Sequence, residues 1–442
     1  MKKVVSISRY SLALVMLILC ATCSPTAPDP EEWSPELLLD WNETIFDIAV
    51  AEDGLSTLKG LRTAAMLHIA IHDVLNTIHP RYQRYAYQHA IDETVDPLAA
   101  ATEAAYQIGT SQYPDQQKRF DALRSKRLVD IPAGSMRERS LALGMASAKA
   151  ILQARADDAW NGEAEYTWHP MAPGVYAEFK EHSGTPEGFV FGAGWAIAHP
   201  FLLEAPEQFR SPPPPMIQSE AYTRAFNEVK SVGHTNSSER TEDQAHLAMW
   251  WKDFVENSHN RLARQLVQKE SLNLWEAARL FAMLNMTIFD AYVCVFDDKF
   301  HYNHWRPYTA IRWAANDENP NTVPDTTWNN LHRNTYAFPS YPSAHGTASS
   351  AAMTVLATTL GTGDDYTFTM RTDSVDIAGL FSGKMAMDPP TRSFTSFSEA
   401  GMEAAMSRVY LGIHFRYDSE AGFELGRKVG EYAGTIFLQP IR

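Results

Sequence analysis

The chain has 442 residues and a formal net charge of −15, with 45% hydrophobic and 21% charged residues. That length is generous for one domain and supplies a full apolar core. The acidic excess excludes nucleic acid and anionic membrane surfaces as general partners.

In chain order, Met1 to Thr22 begins with Lys2, Lys3 and Arg9, continues through an apolar run from Leu12 to Leu19, and ends in small residues. The pattern predicts an export signal over residues 1–23, since the apolar run is too short for a membrane span. Cys20 and Cys23 are candidate lipid-anchor positions, although neither follows a well-formed lipobox. The expected location is therefore exported: periplasmic, outer-membrane-anchored or secreted. Residues 24–34 read as a flexible tether. Beyond the signal only Cys294 remains, so no intrachain disulfide is expected.

From residue 35 onward the apolar spacing is helical and strand-like alternation is scarce, which predicts an all-α protein. Leu61 to Asp73 (LRTAAMLHIAIHD) aligns with Ala278 to Asp290 (ARLFAMLNMTIFD) at a constant offset of 217. Arg62/Arg279, Ala65/Ala282, Met66/Met283, Leu67/Leu284, Ile71/Ile288 and Asp73/Asp290 are identical. This echo predicts two tandem, related helical bundles, over 35–205 and 216–442, joined by a Pro-rich extended linker at 206–215. Trp160 to Trp195, with its Trp, Tyr, Gly and Pro, is the least helical stretch, either a loop beside a substrate channel or packing. His68 and His72 are four apart on one helix face, a metal-like spacing. Residue 69 is Ile where a zinc-protease helix has Glu, and the surrounding helix is apolar, so core or interface polar groups are expected instead.

Three motifs follow in the second half: Lys299 to Pro307 (KFHYNHWRP), Pro342 to His345 (PSAH) and Ser407 to Asp418 (SRVYLGIHFRYD). Lys299, Arg306 and Arg408 share a pocket cheaply only if a polyanion joins them. A Lys, two forked Arg donors and a helix N-terminus suit a tetrahedral oxyanion such as phosphate or vanadate. Lys299 and Arg306 lie on one face if their stretch is helical, and Pro307 ends or kinks that helix. Pro342 and Ser343 read as a helix start, which aims the Ser343 hydroxyl and the first amides at the anion. Gly412 predicts a helix stop that swings His414 back toward Arg408. Asp418 is placed to orient a neighbour. His345 and His414 can then divide between bonding the central atom and moving protons.

The pattern K-x6-RP, PSxH and SR-x5-H-x3-D resembles the signature shared by type 2 phosphatidic acid phosphatases, bacterial acid phosphatases and vanadium-dependent haloperoxidases. Ala344 stands where that family usually has Gly. The surrounding text, HWRPYTAIR (His304 to Arg312), FPSYPSAHGTASSAA (Phe338 to Ala352) and SRVYLGIHFRYD, is more similar to the haloperoxidase branch. So are FLLEAPEQFRSPPPP (Phe201 to Pro215) and ARLFAMLNMTIFDAY (Ala278 to Tyr292). The resemblance implies a two-bundle fold with one active site, in the C-terminal bundle.

It further implies a vanadate cofactor bound through His414, with Lys299, Arg306, Arg408, Ser343 and the Ala344 amide neutralising its oxygens. His345 would be the acid–base residue, taking a proton from hydrogen peroxide, and Lys299 would polarise bound peroxide toward halide attack. Hydrogen peroxide and a halide are the implied partners, with an organic acceptor left open; Phe338 and Trp305 are candidates either for the pocket or for the layer that supports the site. Phe338 stands where chloroperoxidases carry Phe and bromoperoxidases carry His; iodide and bromide are the expected halides, with chloride left open. The rival on the same cradle is an exported acid phosphatase acting through a phosphohistidine at His414. A non-catalytic phosphate-binding lipoprotein is the third reading, but it would have no use for His345. The absence of another long apolar run argues against the integral-membrane lipid phosphatases.

Overall fold

The computed structural model describes residues 33–55, 57–177, 190–379 and 382–441. The expected export signal, and all of the tether but Trp33 and Ser34, lie outside the described residues.

The first half forms α1 (Glu36–Asp53), α2 (Lys59–Ile78), α3 (Pro97–Gln112), α4 (Gln117–Leu128) and α5 (Ser135–Ala154). The second forms α6 (Glu220–Val232), α7 (Glu242–Trp250), α8 (Val255–Lys269), α9 (Leu274–Tyr302), α10 (Pro307–Trp313), α11 (Ala344–Leu360), α12 (Phe397–Tyr410) and α13 (Arg416–Ile436). Local chemistry sets the starts. Asp96 caps the Ala99 amide ahead of Pro97 to open α3, and Asn273 with Glu276 forms a capping box that opens α9. Two antiparallel hairpin pairings, Phe368–Arg371 with Thr391–Phe394 and Ser374–Asp376 with Lys384–Ala386, interrupt the helices between α11 and α12.

Helices α2 and α9 are buried around nearly their whole circumference, polar residues included, and pack on each other at the centre. Contrary to the expectation that no further long apolar run exists, α9 would suffice by length and hydropathy to span a bilayer, but its most apolar stretch is 94% buried inside the fold. Each central helix organises the same unit: α2 packs with α3 and α5, α9 with α11 and α13.

The repeated residues do repeated work. Asp73 accepts the amides of Tyr85, Ala86 and Tyr87, each at 2.7 Å. Asp290 accepts those of Phe201, Leu202 and Leu203 at 2.6, 2.6 and 2.9 Å. In both, burial outweighs the amide bonds and pushes the carboxyl up to about 6. Arg62 reaches the Arg155 carbonyl just past α5, and Arg279 reaches the Leu438 carbonyl just past α13, at 2.8 Å. Arg62 also ties Gln112, the last residue of α3, while Arg279 ties the Thr359 carbonyl in the last turn of α11. The Arg pairs tie corresponding helix ends, whereas the Asp73 partners follow their helix and the Asp290 partners precede theirs.

Between the bundles a buried polar ladder runs from His68 to Asn42 (3.1 Å), Asn260 (2.8 Å) and Asn285 (2.8 Å). His68 also stacks on Phe281, with centroids 4.8 Å apart, and His72 bonds the Gln83 carbonyl at 2.9 Å. These histidines are core polar groups, and no metal-like cluster of His, Cys, Asp and Glu occurs among the described residues. One continuous apolar cluster extends from Leu37 to Leu438 and so joins the halves. Residues 206–215 carry no helix or strand and are strapped to the second half. There the Ser211 amide donates to Asp298 at 2.9 Å, and the Pro212 carbonyl accepts from Tyr341.

The closest helix approach brings α13 onto α11, permitted by Gly422, Gly426, Gly430 and Gly434. A Cβ on Gly426 would stand 2.1 Å from the Thr347 carbonyl oxygen, and one on Gly422 2.5 Å from the Ser343 carbonyl. Because α11 starts at the site described next, this stripe sets where its N-terminus lies. Gly426→Val is expected to destabilise the protein by about 3 kcal/mol through overpacking against backbone. A urea melt beside wild type measures it; an unchanged midpoint would show that the helices can part without cost.

Candidate oxyanion-binding site

Helix α9 ends at Tyr302 because Asn303 adopts the left-handed conformation (φ 47°) and closes the helix on the Lys299 carbonyl. Pro307 then forbids helical geometry at Arg306, which is extended (φ −86°, ψ 153°) and serves as the N-cap of α10. Lys299 and Arg306 therefore do not share a helical face, contrary to the expectation from their spacing. They meet through the segment 338–342 instead. The Lys299 ammonium donates to the carbonyls of Pro339 (3.0 Å), Ser340 (2.7 Å) and Pro342. The Arg306 Nε donates to the Phe338 carbonyl at 2.9 Å.

Ser343 is the N-cap of α11. Its hydroxyl oxygen accepts the Gly346 amide at 3.3 Å and so turns toward its own helix, rather than simply into the cavity as expected. Its amide donates to the Asp418 carbonyl at 2.9 Å, which locks the start of α11 to the start of α13. Ala344 and His345 follow in the first turn, where helix amides lack partners within the helix.

Helix α12 stops after Tyr410, and Gly412 takes φ 83°. The predicted stop is there, but the swing differs. His414 faces Arg306, whose Nη1 lies 3.2 Å from His414 Nε2 and donates to the Ile413 carbonyl at 3.0 Å. Arg408 reaches across to His345 Nδ1. Asp418 orients His414: its Oδ2 lies 2.9 Å from Nδ1 and also accepts from the Ser340 hydroxyl (2.5 Å) and the Phe415 amide (3.1 Å).

These contacts assign two opposite tautomers. Arginine can only donate, so His345 Nδ1 is an acceptor and the neutral ring carries its proton at Nε2. His414 faces a carboxylate through Nδ1, so that nitrogen bears the proton and Nε2 keeps a lone pair. Burial first, then the neighbouring cations Arg306, Lys299 and Arg408, hold His414 well below the usual imidazole range. Burial and Arg408 do the same to His345. One ring thus offers a lone pair and the other an N–H.

Lys299, Arg306 and Arg408 are 0, 0 and 5% exposed, and none of the three makes an ion pair among the described residues. Arg306 Nη2, Arg408 Nη1 and His345 Nε2 are buried without a hydrogen-bond partner. Burial pushes both guanidiniums down to about 10 and the Lys299 ammonium well below its ordinary range. Unpaired buried cations cost several kcal/mol each, so a cradle with several donors to spare is built for a polyanion. A tetrahedral oxyanion such as vanadate fits: it would satisfy the orphaned donors and meet the His414 lone pair.

Ala344, His345, Arg408 and His414 form one end of a cavity of about 290 Å³. Phe191, Trp195, Tyr292, Phe296, Tyr336 and Phe338 make its walls, with Lys252 and Glu256 among the polar groups. Phe338 lies under two cations, 5.2 Å from the Lys299 ammonium and 4.7 Å from the Arg306 guanidinium. Trp305 is not a pocket residue. It is fully buried in a second apolar cluster, with centroids 6.4 Å from Tyr222, because the extended turn before Pro307 points it away from Arg306. Sequence reading did not find Ser340, Tyr336, Glu256 or Tyr292. It did flag the stretch Trp160 to Trp195, of which Phe191 and Trp195 line the cavity.

Fold and site together define a two-bundle helical protein with a buried oxyanion cradle. Residues 279–442 match the family of the VCPO second helical-bundle domain. A vanadium chloroperoxidase of Curvularia inaequalis is 22% identical, over 91% of this chain and 82% of that protein. Among solved structures, a bacterial vanadium-dependent iodoperoxidase superposes with a TM-score of 0.73 at 23% identity, covering 92% of this chain and 98% of that one. A bacterial vanadium-dependent chloroperoxidase follows with 0.67 at 16%, covering 87% and 93%. The chain is thus similar in fold to vanadium-dependent haloperoxidases over most of its length, and residues 279–442 match the VCPO second helical-bundle domain.

Proposed function

We propose that the protein is a vanadate-dependent haloperoxidase that oxidises iodide and bromide with hydrogen peroxide to the hypohalous species. The observation that carries this reading is the set of three buried cations without ion pairs, arranged around a neutral His414 whose Nε2 lone pair is free of a proton. Vanadate, when bound, supplies a high-valent centre that activates peroxide toward halide without changing its own oxidation state.

The chain's residues divide the remaining work. His414 Nε2 would hold the group, and Asp418 keeps that nitrogen deprotonated by holding the proton at Nδ1. Arg306, Arg408 and the amides of Ala344 and His345 would take up the charge of the oxygens. Lys299 contributes charge while its three N–H groups hold the loop 339–342 in place. His345 presents a proton at Nε2. To accept one it must first release Arg408 from Nδ1, so donation is its first act. The aromatic side chains give the cavity a mostly apolar lining beside the cradle. The overall balance is halide plus hydrogen peroxide plus one proton giving hypohalous acid and water.

The deciding experiment takes protein stripped of oxyanion, adds vanadate or nothing, and follows iodide and bromide oxidation beside hydrolysis of a phosphate monoester. Oxidation that depends on vanadate is expected. Phosphatase activity inhibited by vanadate, with no halide oxidation, would overturn the reading. Asp418→Ala removes the acceptor for three donors at once, and vanadate affinity is expected to fall about 10–100-fold. Titration of the stripped variant with vanadate checks this, and wild-type affinity would mean that His414 needs no orientation. The sequence of residues 1–23 supports export, with Cys20 or Cys23 as anchor; fractionation of expressing cells tests it.

A further inference from the structure

The catalytic reading leaves one buried acid of the cavity without a task. Glu256, in the first turn of α8, is 3% exposed and lines the same cavity as His345, Arg408 and His414. Its carboxyl accepts the Tyr292 hydroxyl of α9 at 2.8 Å, and it makes no ion pair among the described residues. The groups around it are mixed. Asp53 at the end of α1 and Asp253 just ahead of α8 both disfavour its charge. Asp253 is already paired with Arg261 at 2.8 Å. The cavity's cations are Arg408, engaged with His345, and Lys252, whose ammonium is held by the carbonyls of Asp376 and Ala378. Burial above all pushes the Glu256 carboxyl up to about 7.

An anion that reaches the cradle through a cavity of this size passes a wall that is neutral or negative according to one proton. On the haloperoxidase reading, we propose that Glu256 is a halide-admitting residue: protonated it lets halide into the cavity, and ionised it repels it. The physical basis is short-range repulsion between two anions in a site walled by aromatic rings, where little water screens them. Tyr292 acts as the positioning partner that holds the carboxyl in the wall.

The test is the Michaelis constant for iodide against pH in vanadate-loaded wild type, Glu256→Gln and Tyr292→Phe. If only the protonated form admits halide, the wild-type constant rises about tenfold per pH unit above its break, at or above pH 7. Glu256→Gln keeps the volume and an acceptor for Tyr292, and its constant is expected to stay flat over the same range. Tyr292→Phe removes a bond that favours the ionised form, so the break moves to higher pH. Infrared difference titration of the vanadate-free proteins gives a readout independent of turnover: a protonated-carboxyl band lost in wild type near the same pH and missing from Glu256→Gln. An active wild type whose rise is unchanged in Glu256→Gln, or identical infrared titrations of the two proteins, would overturn this proposal alone. A wild type without any halide oxidation would overturn the haloperoxidase reading and this proposal with it.

Discussion

His414→Ala is expected to abolish vanadate retention and, with it, halide oxidation. The substitution removes the only imidazole lone pair that faces Arg306, while Asp418 keeps its bonds to Ser340 and Phe415. The loop therefore has reason to stay folded, and the loss falls on binding. Desalting the vanadate-loaded variant and measuring vanadium per protein checks this against wild type. Full retention would move the point of attachment elsewhere in the cradle and sink the assignment. Adding vanadate in large excess is not expected to rescue turnover, because the remaining cations hold the anion by charge without fixing its geometry.

His345→Ala separates binding from chemistry. The ring contributes no lone pair to the cradle, since its Nδ1 is occupied by Arg408 and its Nε2 carries hydrogen. Vanadate retention is expected to survive, while the turnover number falls by about 10²–10⁴, the usual range for loss of a positioned proton-transfer group. The change also frees Arg408 Nη2, so a modest gain in anion affinity is consistent with the same geometry. Loss of retention equal to that of His414→Ala would show that His345 holds the anion rather than its proton. An unchanged turnover number would remove it from the mechanism altogether.

Much of this architecture was legible before any coordinates. The echo between Leu61 to Asp73 and Ala278 to Asp290 marked two helical segments, and both fall on helices buried at the centre of the fold. The six identities between them included Arg62/Arg279 and Asp73/Asp290. Those charged pairs proved to be the informative ones: a buried Asp that caps three amides and a buried Arg that ties helix ends are hard to replace. The residues of the cradle were also readable, since three cations and two histidines in short motifs carry their chemistry in their side-chain types. Their partners were not. Nothing in the spacing of Lys299 and Arg306 reveals that Asn303 turns left-handed between them, and helical spacing misled there. Trp305 beside Arg306 looked like a pocket residue and is core.

What the sequence alone determined is the kind of ligand. Lys299, Arg306, Arg408, His345 and His414 specify a polyanion and a nitrogen ligand wherever the chain folds them together, because charge and proton affinity belong to the residue type. What only the tertiary structure supplies is a physical ground for dividing the two histidines as the family resemblance implies. That rests on Asp418 meeting His414 Nδ1 and Arg408 meeting His345 Nδ1, contacts across 4 and 63 residues that fix opposite tautomers. The cavity wall is likewise tertiary: Phe191 with Trp195, Glu256, Tyr292 and Phe338 come from four separate segments of the chain. The physical reason is range. A side chain's charge can be read one residue at a time, whereas a tautomer, a desolvated carboxyl or a cavity exists only once distant segments have excluded water between them.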